Sequence, residues 1–181
     1  MLKFISKIFD HIAFLRPLLL IPVWTPSLLG FWAGGATHSA GNENELLLLT
    51  TFLAIGVYGI NQIFDMEGDK LNSKHLPLAL GFISRTSGWI ITIGSFLGAL
   101  ILGVFKSFPV ASLTIIGIIL GIIYSIPPFR LKDRAYLALI SNALGHGALI
   151  YLLGFVFATG SFELSSLPRT IPYIFAYGAV Y

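Results

Sequence analysis

Residues 45–70 read ELLLLTTFLAIGVYGINQIFDMEGDK, an apolar run that turns acidic at its end. From Glu45 to Phe64 the run carries no charge after its first residue. About 20 predominantly apolar residues are enough for a helix to cross the hydrocarbon core of a bilayer. The stretch is therefore expected to be a membrane-spanning helix with carboxylates at one end. Asn61, Asp65 and Asp69 recur every four residues. Each step of four drifts by about 40° around a helix, so the three side chains form one slanted ridge about 12 Å long. An amide and two carboxylates on one ridge offer hard oxygen donors of the kind that hold Mg²⁺ together with substrate phosphates. Glu67 falls on another face and reads as solvated charge.

The rest of the chain fits the same setting. Of its 181 residues, 56% are hydrophobic and 10% are charged, and the mean hydropathy is +0.86. A soluble domain carries about 25% charged residues, so most of the surface that this sequence can build must face lipid. Four further runs are long and apolar enough to span, at 14–36, 87–105, 109–126 and 136–158. A sixth begins near Pro168 and reaches Tyr181. The expected fold class is all-α: a multi-pass transmembrane helical bundle with about five complete spans and the start of a sixth, in one domain over 1–181. Lys3 and Lys7 precede the first apolar run, as in a signal peptide, but Arg16, Pro17, Pro22 and Pro26 interrupt it and it runs too long. It is read as the first span, not as a cleaved leader.

The basic residues orient the bundle. With a cytoplasmic N-terminus, Lys3, Lys7, Arg16, Lys70, Lys74, Arg85, Arg130, Lys132 and Arg134 lie inside, and only Lys106 and Arg169 lie outside. This asymmetry follows the positive-inside rule. A net charge of +3 distributed in this way serves orientation, and no nucleic-acid partner is expected. The absence of cysteine excludes disulfides, thiolate metal sites, iron–sulfur clusters and cysteine nucleophiles. Gly56 and Gly59, Gly117 and Gly121, and Gly145 and Gly147 stand where helices can approach closely.

Two readings of the ridge remain open at this level. Acidic side chains that snorkel or cap at a helix end would leave a similar sequence. Against that, Asn61 lies within the apolar run, where strongly polar groups are costly and face cavities. Carboxylates at a helix C-terminus also oppose the macrodipole, a conflict that a bound cation removes. The ridge itself carries no basic partner, which suits a metal better than a salt bridge.

The run from Asn61 to Asn72, followed by Leu76-Pro77-Leu78-Ala79 and Gly81, resembles the first aspartate-rich motif of the UbiA family of intramembrane prenyltransferases. That motif is N-x-x-x-D-x-x-x-D and then a proline-containing turn, whose usual serine is absent here. The Asn-Gln opening and the Leu-Pro-Leu turn lean toward the homogentisate prenyltransferase-like branch. Tyr124-Ser125-Ile126-Pro127-Pro128-Phe129-Arg130-Leu131-Lys132 resembles the family's Y-S-x-P-P-x-R-L-K segment. Pro127 and Pro128 end the preceding helix. Arg130 and Lys132 then follow on the side of Asp65 and Asp69, where they satisfy the positive-inside rule and could equally bind a diphosphate. Arg16-Pro17 is a third, weaker match.

The resemblance implies a Mg-dependent transfer of an isoprenyl group from a prenyl diphosphate to an aromatic or hydroxyl-bearing, lipid-like acceptor within the membrane, as in quinone, tocopherol-like or lipid biosynthesis. It implies Mg²⁺ as cofactor on Asn61, Asp65 and Asp69, with the two aspartates catalytic. Arg16, Arg130 and Lys132 would bind the diphosphate, and Tyr124 would line the substrate cavity. The implied setting is the cell (inner) membrane. The family fold has roughly nine helices and a second aspartate motif after the sixth. After Asp69 the acidic residues here are Asp133 and Glu163, so that motif is expected beyond Tyr181 and the chain is expected to be the N-terminal part of a longer protein.

Other residues carry blander expectations. His146 is expected to hydrogen-bond a neighbouring helix, with Asn142 one turn away as a partner. His75 falls in a loop, His11 and His38 are interfacial, and Trp24, Trp32 and Trp89 read as membrane anchors. An ion-coupled transporter would place its carboxylates near mid-membrane, not at the end of a span. A CDP-alcohol phosphotransferase would show a denser aspartate motif than this one. A non-catalytic, truncated membrane subunit remains the alternative that the absent second motif suggests.

Overall fold

Each apolar run becomes a helix, and the breaks fall where proline, serine or a left-handed residue stops one. The computed structural model describes the backbone of residues 2–36 and 40–179, and the side chains of residues 7–36 and 42–179. The expectations for the Lys3 and His38 side chains lie outside the described residues. In chain order the helices are α1 (Leu2–Phe14), α2 (Ile21–Ala33), α3 (Ala40–Leu71), α4 (Arg85–Lys106), α5 (Phe108–Ser125), α6 (Ala135–Asn142), α7 (Ile150–Thr159) and α8 (Ile171–Gly178). A short 3₁₀ turn, Pro17–Leu20, joins α1 to α2, and a wide π-helical segment, Ala143–Leu149, joins α6 to α7. Among the described residues there is no strand. Five helical stretches are long and apolar enough to cross a membrane: Lys7–Ala33, Asn42–Leu71, Arg85–Lys106, Phe108–Ser125 and Ala135–Thr159.

The expected spans are all present, with three differences. The first begins earlier than residue 14 and is broken at Arg16, whose backbone is left-handed (φ 52°). Pro17 has no N–H to donate and opens the next turn instead. The second span does not stop at Phe64, because α3 stays helical through the whole acidic ridge. The fifth is interrupted by the π-helical segment.

One serine both ends α4 and starts α5. Ser107 is extended, and its Oγ accepts from the backbone N–H of Val110 at 3.4 Å. It thereby meets one of the four unpaired donors of a helix N-terminus. Pro109 occupies the first turn, where its missing N–H costs nothing.

The core gathers around α3, with Leu46, Leu49, Leu53 and Ala54 buried against Val23 and Phe31 of α2, Ala99 of α4, Val110 of α5 and Leu153 of α7. The tightest seam joins α2 to α7. A β-carbon added at Gly30 would run into the Tyr151 carbonyl, and one at Gly154 into the Ser27 carbonyl. Of the glycines singled out in the sequence, Gly56, Gly59, Gly121 and Gly147 are also close approaches, since a β-carbon there would lie 2.3 Å from Phe96, 2.2 Å from Thr92, 2.6 Å from Val57 and 2.6 Å from the Tyr173 carbonyl. Gly145 differs, with nothing within 4 Å of that position, because it borders a cavity and not a helix. Trp24 does more than anchor, since its indole N–H donates to Thr51 Oγ1 at 2.9 Å and ties α2 to α3.

The two basic residues assigned to the opposite side are held there by contacts. Lys106 donates to Asn42 Oδ1 at 3.0 Å and lies over the Phe157 ring. Arg169 donates to the Ala33 carbonyl at 3.1 Å. The ridge of Asn61, Asp65 and Asp69 is at the other end of α3.

Candidate functional site

Because α3 remains helical to Leu71, Asn61, Asp65 and Asp69 share a face as their spacing requires. The ridge carries no basic residue of its own, yet cations from elsewhere in the chain pair with it. Lys132 Nζ donates to Asn61 Oδ1 at 2.7 Å and to Asp65 Oδ1. Arg130 Nη2 donates to the same Asp65 oxygen at 3.3 Å, and its Nε donates to Asp133 at 2.8 Å. Lys74 Nζ pairs with Asp69 Oδ1 at 2.7 Å. Every partner comes from outside the ridge, which is why helical spacing does not reveal it. Lys74 is reached because the chain folds back beneath the end of α3. Its N–H donates to the Asp69 carbonyl at 2.9 Å, and Leu78 and Ile83 of the returning loop are buried with Phe14 and Ile63.

The segment after α5 places the other two cations. Pro127 and Pro128 stop the helix, and the chain turns back so that the Arg130 N–H donates to the Ile126 carbonyl at 3.0 Å. Arg130 is left-handed (φ 34°), as is Arg16 (φ 52°). A left-handed conformation costs a non-glycine residue about 1 kcal/mol or more, and such strain gathers at functional sites. Here it falls on two of the three basic residues that the sequence marks for anion binding.

Beside this cluster lies a cavity of about 540 Å³ bordered by α2, α3, α5, the π-helical segment and α8. Its walls are mainly apolar, with Leu53, Val57, Leu120 and Leu149 among them, and its polar lining includes Arg16, Asn61, Tyr124, Asn142 and His146. Asn61 belongs to both places: it accepts from Lys132 and it lines the cavity. The Arg16 side chain lines the cavity without a hydrogen bond or ion pair among the described residues. Tyr124 is on the cavity wall, and its hydroxyl accepts from Asn142 Nδ2 at 3.3 Å.

The expectation for His146 is corrected. Asn142 is engaged with Tyr124, and the His146 ring is near-parallel to those of Tyr58 and Tyr177, with centroids 6.2 Å from each and interplanar angles of 13° and 10°. Sequence reasoning missed Tyr58, Tyr177 and Lys74. Tyr58 was within reach, since it precedes Asn61 by three residues and so shares its helical face.

The oxygen donors of Asn61, Asp65 and Asp69 suit hard divalent cations by chemistry, and Asn61 and Asp65 already share one positive charge, the Lys132 ammonium. Binding a divalent cation would require Lys132 to release Asn61 and Asp65. Among the described residues there is no group of three or more His, Cys, Asp or Glu side chains placed to hold a metal by themselves, so oxygens of water or phosphate would have to complete the shell.

Fold and site together define a helical membrane protein with an apolar cavity under an ionic mouth. The profile of the UbiA prenyltransferase family matches residues 23–181, and the chain belongs to that family. It is 40% identical to the 2-acylphloroglucinol 4-prenyltransferase of Humulus lupulus over 93 residues, which cover 50% of this chain and 23% of that protein. It is 31% identical to the homogentisate phytyltransferase of Synechocystis sp. over 145 residues, 76% of this chain and 46% of that one. The chain thus spans about a quarter to a half of the length of these relatives. A UbiA homologue from Archaeoglobus fulgidus, solved with DMAPP and Mg²⁺ bound, superposes with a TM-score of 0.80 at 23% identity, over 95% of this chain and 61% of that one. A digeranylgeranylglyceryl phosphate synthase structure gives a TM-score of 0.82 at 16% identity, over 95% and 60%. At these identities the two structures establish the fold.

Proposed function

We propose that this chain forms the part of an intramembrane prenyltransferase that binds an isoprenyl diphosphate and passes its isoprenyl group to a hydroxylated aromatic acceptor. The observation that carries this reading is the position of Asn61, shared between an ionic cluster fit for a diphosphate and an apolar cavity fit for an isoprenoid tail. The names of the relatives support the acceptor class, since acylphloroglucinols and homogentisate are both hydroxylated aromatic rings. The DMAPP- and GPP-bound fold neighbours support the donor class.

The roles follow from the chemistry of the side chains. Arg130 offers a planar fork of donors that matches phosphate oxygens, and Lys132 adds a compact positive charge. Both now neutralise Asp65, and both can exchange it for diphosphate. Arg16 extends the basic surface into the cavity. Mg²⁺, when held by Asn61, Asp65 and Asp69, would supply further positive charge against the diphosphate. As the allylic C–O bond ionises, negative charge grows on the leaving diphosphate, and donors already aimed at that point stabilise it. Leu53, Val57, Leu120 and Leu149 keep water from the allylic cation, and the Tyr124 ring offers it a π face. The ionic mouth faces the cytoplasm in this reading, with the N-terminus on the same side of the cell membrane.

The test uses the complete protein in membranes. Replacing Asp65→Ala or Asp69→Ala should lower Mg²⁺-dependent prenyl transfer by about 100-fold or more, with insertion into the membrane unchanged. Full transfer activity in either variant would overturn the site.

A further inference from the structure

We propose that His146 binds the hydroxyl of the aromatic acceptor and takes its proton as the ring is alkylated. The inference rests on the prenyl-transfer reading above and adds to it the group that handles the acceptor. Four observations lead there. His146 lines the cavity shared with Asn61. Its ring runs nearly parallel to those of Tyr58 and Tyr177, with centroids 6.2 Å from each, and its nitrogens are the polar atoms that it can offer a ligand. The hydroxyls of those tyrosines are committed elsewhere, Tyr58 donating to the Leu19 carbonyl at 3.1 Å and Tyr177 to the Pro22 carbonyl. The imidazole nitrogens have no hydrogen-bond partner among the described residues, although Asn142, Tyr124, Tyr58 and Tyr177 around them all do. A polar group surrounded by satisfied neighbours and facing a cavity is waiting for a ligand that donates to it.

The backbone supports the same assignment. His146 stands in the π-helical segment, and wide turns of this kind recur at functional sites. Gly147 lets α8 press onto the segment from outside, while Gly145 leaves open space beside the histidine. A neutral imidazole accepts a hydrogen bond at one nitrogen, which fits a phenolic O–H and does not fit an ether or a hydrocarbon.

The step balances as follows. The allylic C–O bond breaks with its electron pair going to the diphosphate. A π pair of the acceptor ring forms the new C–C bond, and the phenolic proton passes to the His146 nitrogen, giving a neutral dienone. The alkylated carbon then releases its hydrogen as a proton to the departed diphosphate, and His146 returns the first proton to the oxygen. Aromaticity is restored and the histidine ends as it began.

The experiment needs no turnover. The full chain, ¹⁵N-labelled at histidine in lipid nanodiscs, is titrated with hydroquinone and with 1,4-dimethoxybenzene, the same ring without O–H donors. Hydroquinone is expected to shift the His146 side-chain ¹⁵N resonance and to bind about tenfold tighter than the diether, the worth of one hydrogen bond to a buried acceptor. His146→Phe should erase that preference, and His146→Gln, which keeps an accepting oxygen, should retain part of it. A His146 resonance that hydroquinone does not move overturns the proposal, as does an undiminished preference in His146→Phe. The wild-type spectrum decides if the variant does not fold. Mg²⁺-dependent binding of farnesyl diphosphate to the same nanodiscs tests the prenyl-transfer reading separately, and its absence would leave a phenol site without a prenyl donor.

Discussion

Lys132 satisfies two of the three oxygen donors of the ridge with one ammonium, at Asn61 and Asp65. A cation delivered there must displace it, and diphosphate gives the displaced ammonium somewhere to go. Lys132→Met should therefore let Mn²⁺ bind by itself about tenfold tighter, because no internal charge competes. The same change should weaken farnesyl diphosphate binding by a similar factor. Mn²⁺ paramagnetic resonance with and without the diphosphate measures both, and unchanged Mn²⁺ affinity would show that Lys132 is a bystander. The ridge itself was legible in the sequence, because a period of four survives folding as a helical face. Its cations were not legible as partners. Lys132 meets Asn61 across 71 residues of chain, and Lys74 meets Asp69 through a loop whose path depends on burying Leu78 and Ile83.

At the scale of elements, the seam of α2 and α7 and the π-helical segment respond to substitution in opposite ways. Gly154→Leu drives a side chain into the Ser27 carbonyl and should destabilise the bundle by about 3 kcal/mol or more, as overpacking does when backbone cannot yield. Thermal unfolding in detergent would register it, and an unchanged midpoint would show that the seam is looser than described. Gly145→Ala meets no neighbour and should leave that midpoint within a few degrees of the parent, or raise it, since alanine loses less backbone entropy in a helical turn. The two glycines look alike in the sequence. Long apolar runs made the five spans legible, because nothing else can hold so many such residues in lipid. The interruption at Arg16 and Pro17 was legible too, because proline acts locally, whereas no residue signal marked the wide turn around His146.

For the whole molecule, the separation of charge between the ends of the bundle predicts which end each loop occupies. The chain contains no cysteine, so single cysteines can be added without a background. His75→Cys, in the loop beside the ridge, and Ser161→Cys, beyond the end of α7, should react with a membrane-impermeant maleimide from opposite sides of sealed vesicles. Labelling from the same side would overturn the bundle's orientation. The ion-paired groups at the ridge have a further consequence. Asp65, Asp69 and Asp133 carry three negative charges, and Lys74, Arg130 and Lys132 carry three positive ones. Such a set has almost no monopole, so beyond about 10 Å in physiological salt it exerts little pull on an ion in the water. Long-range steering, which makes association fall steeply with ionic strength, then draws nothing from these six groups. An amphiphile already dissolved in the bilayer would find this mouth by lateral diffusion, and the paired groups would add little salt dependence to its capture.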